Sequence, residues 1–121
     1  MKYSQGLQVS VPKYIFVFAN NLFEIEKKMA INGDTGNFSR NIAKMKESLE
    51  EHGITYENPE GEPFNETRTD LDASISGTGT ENLYVVDVIK PIIRAGASGM
   101  STVIQKGIVV VESRNKGESN E

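Results

Sequence analysis

Four groups of residues have the types and spacing to do chemistry. His52 is the only histidine in the chain. Catalysis or metal binding through it needs a set of partners, and no such set is spaced for it nearby. Its place at the end of a helical pattern predicts a local role, on the last carbonyls of that helix. Glu60 and Glu62 have the pairing of an acid and a base. They lie in Asn58-Pro59-Glu60-Gly61-Glu62-Pro63, and a Pro/Gly-rich linker offers no dry cleft to shift a pKa. They are read as a solvated turn.

Asp70 and Asp72 fall on one face of a predicted strand, opposite Leu71, Ala73 and Ile75. Nothing near them completes an oxygen shell for a cation, so they are read as the wet face. Gly96 and Gly99, in Ala95-Gly96-Ala97-Ser98-Gly99, have the look of a phosphate loop. The Walker spacing with its Lys-Ser/Thr is absent and no helix follows, so the segment is read as a loop between strands. No nucleophile is paired with a base. The chain is therefore expected not to be an enzyme, with no catalytic residue, no cofactor and no metal site.

Composition narrows the alternatives. A chain of 121 residues predicts one domain, or a small domain with an appendage. Only 37% of the residues are hydrophobic and there is no tryptophan, which points to an elongated shape or a core completed by a partner. The net charge of −4, with both signs interspersed, argues against nucleic acid and anionic membranes. The absence of cysteine removes disulfides, thiolate catalysis and Cys-based zinc sites. No secretory signal is evident, and the longest apolar stretch, Tyr14 to Ala19, is too short to span a bilayer. A soluble, cytoplasmic protein is expected.

The elements that must position any site are two helices and a set of strands. Residues 1–11 read as a flexible arm. Ser10-Val11-Pro12 has the form of a helix start, with Ser10 as cap. A helix from about Pro12 to Ala30 follows, with Tyr14, Phe18, Leu22, Ile25 and Met29 in one stripe. Ile15, Ala19 and Phe23 widen it, and Phe16 and Val17 lie further round, so this helix needs neighbours on two sides. Asn32 to Asn37 is a turn cluster. A second helix spans about Asn37 to His52, with Phe38, Ile42, Met45 and Leu49 as its stripe. Gly53 supplies a left-handed stop, and Ile54 is placed to fold back on Leu49. Together they predict a helical hairpin over 12–53, which must pack on the β half or on a second copy of itself.

From Ile54 the period changes. Leu71 to Ile75 alternates, Leu83 to Ile89 is rich in β-branched residues, and Ile108 to Val111 is a short apolar run. Ile92 to Arg94 and Thr102 to Ile104 are shorter candidates, with Pro91 at an edge or bulge. The expected fold is α+β: a helical hairpin, half of a dimeric four-helix bundle, then a small antiparallel β domain over 54–112 and a disordered tail over 113–121.

In that order of parts, several stretches become familiar. They are Ala19-Asn20-Asn21-Leu22 in the first helix, Leu49-Glu50-Glu51-His52-Gly53-Ile54 at the end of the second, and Pro59-Glu60-Gly61-Glu62-Pro63-Phe64-Asn65 after it. The closing segment is Val103-Ile104-Gln105-Lys106-Gly107-Ile108-Val109-Val110-Val111. From about Tyr14 to Glu112 the chain resembles the GrpE nucleotide exchange factors, cochaperones of DnaK-type chaperones. The stretch from Leu49 to Asn65 carries the most specific part of the likeness.

The resemblance implies a homodimer with a role in protein folding and the stress response. Its β domain would dock on the chaperone's ATPase domain and favour the open, ADP-releasing form. Tyr14, Phe18, Leu22, Ile25, Phe38, Ile42, Met45 and Leu49 would then form the dimer interface. Pro63, Phe64, Asn65, Thr102 and Gln105 would face the partner, with Pro63 and Phe64 fitting equally a pin at the helix-to-sheet junction. The chain departs from the family at four places, one of them after Phe64, where Asn65-Glu66 and then Thr69-Asp70-Leu71 stand for the family's Asp-Pro and the His or similar residue with Glu-Ala that follows. No counterpart of its long N-terminal helix is expected before Pro12. Asn20 replaces an acidic residue. Thr102, Gln105 and Lys106 stand where the family has two arginines and a following proline or alanine. These departures keep open a second reading, a binding or regulatory module on the same fold that has lost exchange activity.

Overall fold

The apolar stripe of the first helix and the β-branched runs beyond Ile54 each find their place in a mixed α and β fold, with two helices and two sheets among the described residues. The computed structural model describes residues 11–96 and 99–114. The expected arm and tail, the proposed Ser10 cap, and Ala97 and Ser98 lie outside these residues, except for Val11, Ser113 and Arg114.

Helix α1 spans Lys13–Asn32 and α2 spans Ser39–Glu51. Pro12 takes the cap position of α1 instead of its first turn, and its carbonyl accepts from the Ile15 amide at 3.0 Å. The far end runs two residues past the expected stop, to Asn32, and is capped by Gly33. That residue has φ of 82°, and its amide donates to Met29 O at 2.8 Å. Helix α2 begins later than expected because Asp34 captures two of its free amides, Phe38 N at 2.6 Å and Ser39 N at 3.0 Å. Gly53, at φ 78°, ends α2 as its position predicts.

The strands are β1 (Ile54–Glu57), β2 (Pro63–Phe64), β3 (Leu71–Ile75), β4 (Leu83–Lys90), β5 (Ile92–Ala95), β6 (Thr102–Gln105) and β7 (Gly107–Ser113). β1 and β2 had no alternation long enough to announce them. One sheet has the order β1-β5-β6 and the other β2-β4-β7-β3.

Two expectations need correction. The β half is not wholly antiparallel: β4 pairs antiparallel with β2 and β7, but β3 runs parallel to β7, with Leu71 opposite Gly107 and Ile75 opposite Val111. Alternation marks a strand and its buried face, but it says nothing about which strand lies beside it or in which direction. Nor does the chain divide at residue 53. It forms two compact units, one of residues 11–56 with 93–96 and 99–104, the other of residues 57–92 with 105–114.

In the first unit α1 packs on the three-stranded sheet. Ala19, Ile54, Ile93 and Ala95 form a fully buried cluster, with Ile15, Phe16, Leu49 and Ile104 packed against it. The small side chain of Ala19 brings the helix backbone close to the sheet, and each buried isoleucine contributes roughly 1.5–3 kcal/mol. Val11 also packs here, so the expected arm ends before it. The second unit has its own core, in which Leu71, Val85, Val88, Ile92, Val109 and Val111 are buried. Its β4 carries two register irregularities against β7. Ser113 is the last residue of β7, not the start of a tail, and the Arg114 guanidinium lies 4.1 Å from the Tyr84 ring centroid.

Candidate interaction surface

The residues expected to form a dimer interface fall into three environments. Leu22 and Ile42 are buried within their own chain, and Leu49 is half-buried. Tyr14, Phe18, Ile25 and Met45 remain 57%, 56%, 39% and 46% exposed. Phe38 is 56% exposed, but it occupies the cap position of α2 with its ring over Gly36.

The structure brings Phe18, Leu22, Ile25, Met45 and Leu49 together around a depression of about 330 Å³ between α1 and α2. Asn21 and Ser48 are its polar lining, and the side-chain Nδ2 of Asn21 donates to Val17 O at 2.8 Å. Tyr14 joins the group through Phe18, edge to face, with ring centroids 5.5 Å apart and planes at 65°. Phe18, Ser48 and Leu49 also line a second groove, of about 550 Å³, that continues to Ile15, Ile54 and Ala95. The result is a largely apolar face, with Asn21, Ser48 and His52 as polar groups along it, suited to holding another apolar surface.

A polar cluster that joins α1, α2 and β1 was not legible in the sequence. The Tyr56 hydroxyl donates to Glu26 Oε1 at 2.5 Å, Lys46 Nζ lies 3.3 Å from Glu26 Oε2, and the same ammonium sits 5.0 Å from the Tyr56 ring centroid. Burial pushes the Tyr56 phenol well above its ordinary value, and the hydrogen bond to Glu26 and its charge add to this. The available signal was the spacing of Tyr56 two residues after buried Ile54 on β1, which gives both side chains one face.

The residues expected to face a partner are divided. Pro63, exposed, lies opposite Tyr84, and Phe64, half-buried, lies opposite Leu83. Asn65 Oδ1 accepts from the Thr67 amide at 2.9 Å and from its hydroxyl, which closes a local turn. Gln105 Nε2 donates to Pro91 O at 3.0 Å. These four belong to the second unit, whereas exposed Thr102 begins β6 in the first.

Arg68 is a residue the sequence reading missed. Its Nε and Nη2 meet Asp70 at 3.0 and 2.9 Å, and its Nη1 meets Glu62 Oε1 at 2.9 Å and Pro63 O at 3.3 Å. A guanidinium fork is built for such planar, two-pronged pairing. The hydrogen bond to Asp70 raises the Arg68 pKa most, against the opposing effect of burial. Two earlier readings change with it. Asp70 is an ion-pair partner and not a wet-face residue, and Glu62 is not merely solvated. Asp72, exposed, keeps the wet face, with Lys106 at 3.9 Å.

His52 closes on its own helix, with Nδ1 3.0 Å from Ser48 O. Because a carbonyl only accepts, Nδ1 carries the hydrogen. The Gly96 amide donates to Gly53 O at 2.9 Å. Among the described residues no group of three His, Cys, Asp or Glu side chains is arranged for a metal, and no helix is long and apolar enough to cross a membrane. Compared with protein-family profiles, with curated proteins and with solved structures, the chain finds no match.

Proposed function

We propose that this chain is a binding protein that acts as a GrpE-like cochaperone. Its two helices form a hairpin that pairs with a second copy as a four-helix bundle. The dimer binds the ATPase domain of a DnaK-type chaperone in the cytoplasm and promotes ADP release by favouring the open state. It needs no nucleotide site, because a protein that binds the open state better shifts the equilibrium by that difference, and nucleotide must weaken its binding in return.

The observation that carries this reading is the uncovered face of Tyr14, Phe18, Ile25 and Met45. The two rings, each over half exposed, leave roughly 200 Å² uncovered, given the 150–250 Å² an aromatic side chain carries. With Ile25 and Met45 the face reaches the few hundred Å² that mark an interaction surface. The helix stop at Gly53, within the most specific stretch of the resemblance, supports the family reading. The test is release of labelled ADP from a DnaK-type ATPase domain, which the protein should accelerate in proportion to its concentration.

A second reading has its own support. The Gln105 amide is engaged by Pro91 O and the Asn65 carboxamide by Thr67, so two of the five expected contact residues serve the chain itself. A module on this fold that binds the ATPase domain without speeding ADP release would have this character. Capture of the domain with unchanged release separates the two.

A further inference from the structure

We infer that α2 is a lid over the apolar face of α1, and that it opens as a unit before the rest of the first unit unfolds. Burial is unequal between the helices. α1 buries Ala19, Leu22 and Phe23, whereas α2 buries Ile42 and rests only a half-buried Leu49 against the core cluster. The apolar surface that an element buries sets the free energy of its local opening, so α2 has much less holding it.

The second observation is the nature of the fastening. Lys46 on α2 reaches Glu26 of α1 and the ring of Tyr56 on β1. The Tyr56–Glu26 bond does not involve α2, so both partners of Lys46 stay in place when α2 leaves. The Lys46–Glu26 pair is more than a third exposed on both sides, and water competes for such pairs.

The third observation is the two ends. Gly33 and Gly53 hold φ of 82° and 78° on either side of the helix, and every residue from Gly33 to Phe38 is exposed. Small residues at such positions absorb the backbone rotation that a moving element requires. Asp34, which caps α2, lies on the α2 side of Gly33, so the lid travels with its own cap. Opening uncovers Leu22 on α1 and Ile42 on α2 and joins them to the already exposed Ile25 and Met45, turning a groove into a broad apolar face. The inference concerns the chain alone, and a failed ADP-release assay leaves it standing.

Native-state amide hydrogen exchange on the full chain, followed by NMR at increasing denaturant below the unfolding transition, tests it. Once detached, a helix of 13 residues is too short to hold its own hydrogen bonds, so the amides of Ile42 to Leu49 should exchange through an opening that depends less on denaturant than global unfolding does, about a hundredfold or more faster than those of α1 around Leu22 and of β5. Lys46→Met should speed α2 exchange about two- to fivefold and leave α1 and β5 unchanged. The Phe18→Asp chain, measured in parallel, separates protection by a second copy from protection within the chain. A common, denaturant-dependent opening for α2, α1 and β5, or the lack of a selective effect of Lys46→Met on α2, overturns the proposal.

Discussion

The hydroxyl of Tyr56 donates to Glu26 at 2.5 Å and so ties β1 to α1 across 30 positions of sequence. The bond holds a carboxylate in place for Lys46 and leaves the phenol reluctant to ionise. A phenol whose folded pKa lies above its unfolded value of about 10 stabilises the fold fully below that pH. The contribution is lost as pH rises through the folded value. Tyr56→Phe should therefore lower stability by about 1–2 kcal/mol at neutral pH, by loss of a hydrogen bond to a charged group. It should also flatten the loss of stability that the parent chain shows from about pH 10 upward. Urea denaturation across pH 7–11.5 reads both effects.

Asp34 makes a complementary prediction in acid. Its carboxylate accepts from the Phe38 amide and then from Ser39, and these bonds hold its pKa below the ordinary aspartate value. A lowered folded pKa means a contribution present above the unfolded value and lost as pH falls through the folded one. Asp34→Ala should lower the thermal midpoint at pH 7 and remove part of the acid dependence. Circular dichroism melts between pH 7 and pH 2 of parent and variant measure the difference.

Phe18 is the position at which to test assembly. A charge at Leu22 buries itself inside the chain's own core and destroys the fold along with any interface. Phe18, half exposed beside Tyr14, tolerates a charge without that cost. Phe18→Asp should keep the parent's circular dichroism spectrum and shift the species seen by light scattering from dimer to monomer. A parent chain that is monomeric at high concentration contradicts the dimer.

Much of the helical half was legible in the sequence, and particular residues show why. The stripe of Tyr14, Phe18, Leu22 and Ile25 fixes a helix because its period is local. Gly53 marks a helix end because few other residues take its backbone angles readily. What escaped was set by distant pairing. Asp34 read as a turn residue, since its value as a cap depends on where Phe38 and Ser39 point their amides. Arg68 read as nothing in particular, because its partners Glu62 and Asp70 meet it only once the turn is formed. The parallel pairing of β3 with β7 joins segments separated by three other strands, and no local pattern encodes that choice. The candidate face was half visible: its residues were named, but their division into buried Leu22 and Ile42 and exposed Phe18 and Met45 required α1 to be seated on the sheet.

The central claim is that this chain speeds nucleotide release from a partner ATPase. The most direct test loads a DnaK-type ATPase domain with fluorescent ADP, adds excess unlabelled nucleotide, and follows release with increasing amounts of the protein. The account predicts a release rate that climbs and saturates as the protein binds. A rate that stays flat to saturating concentrations contradicts it.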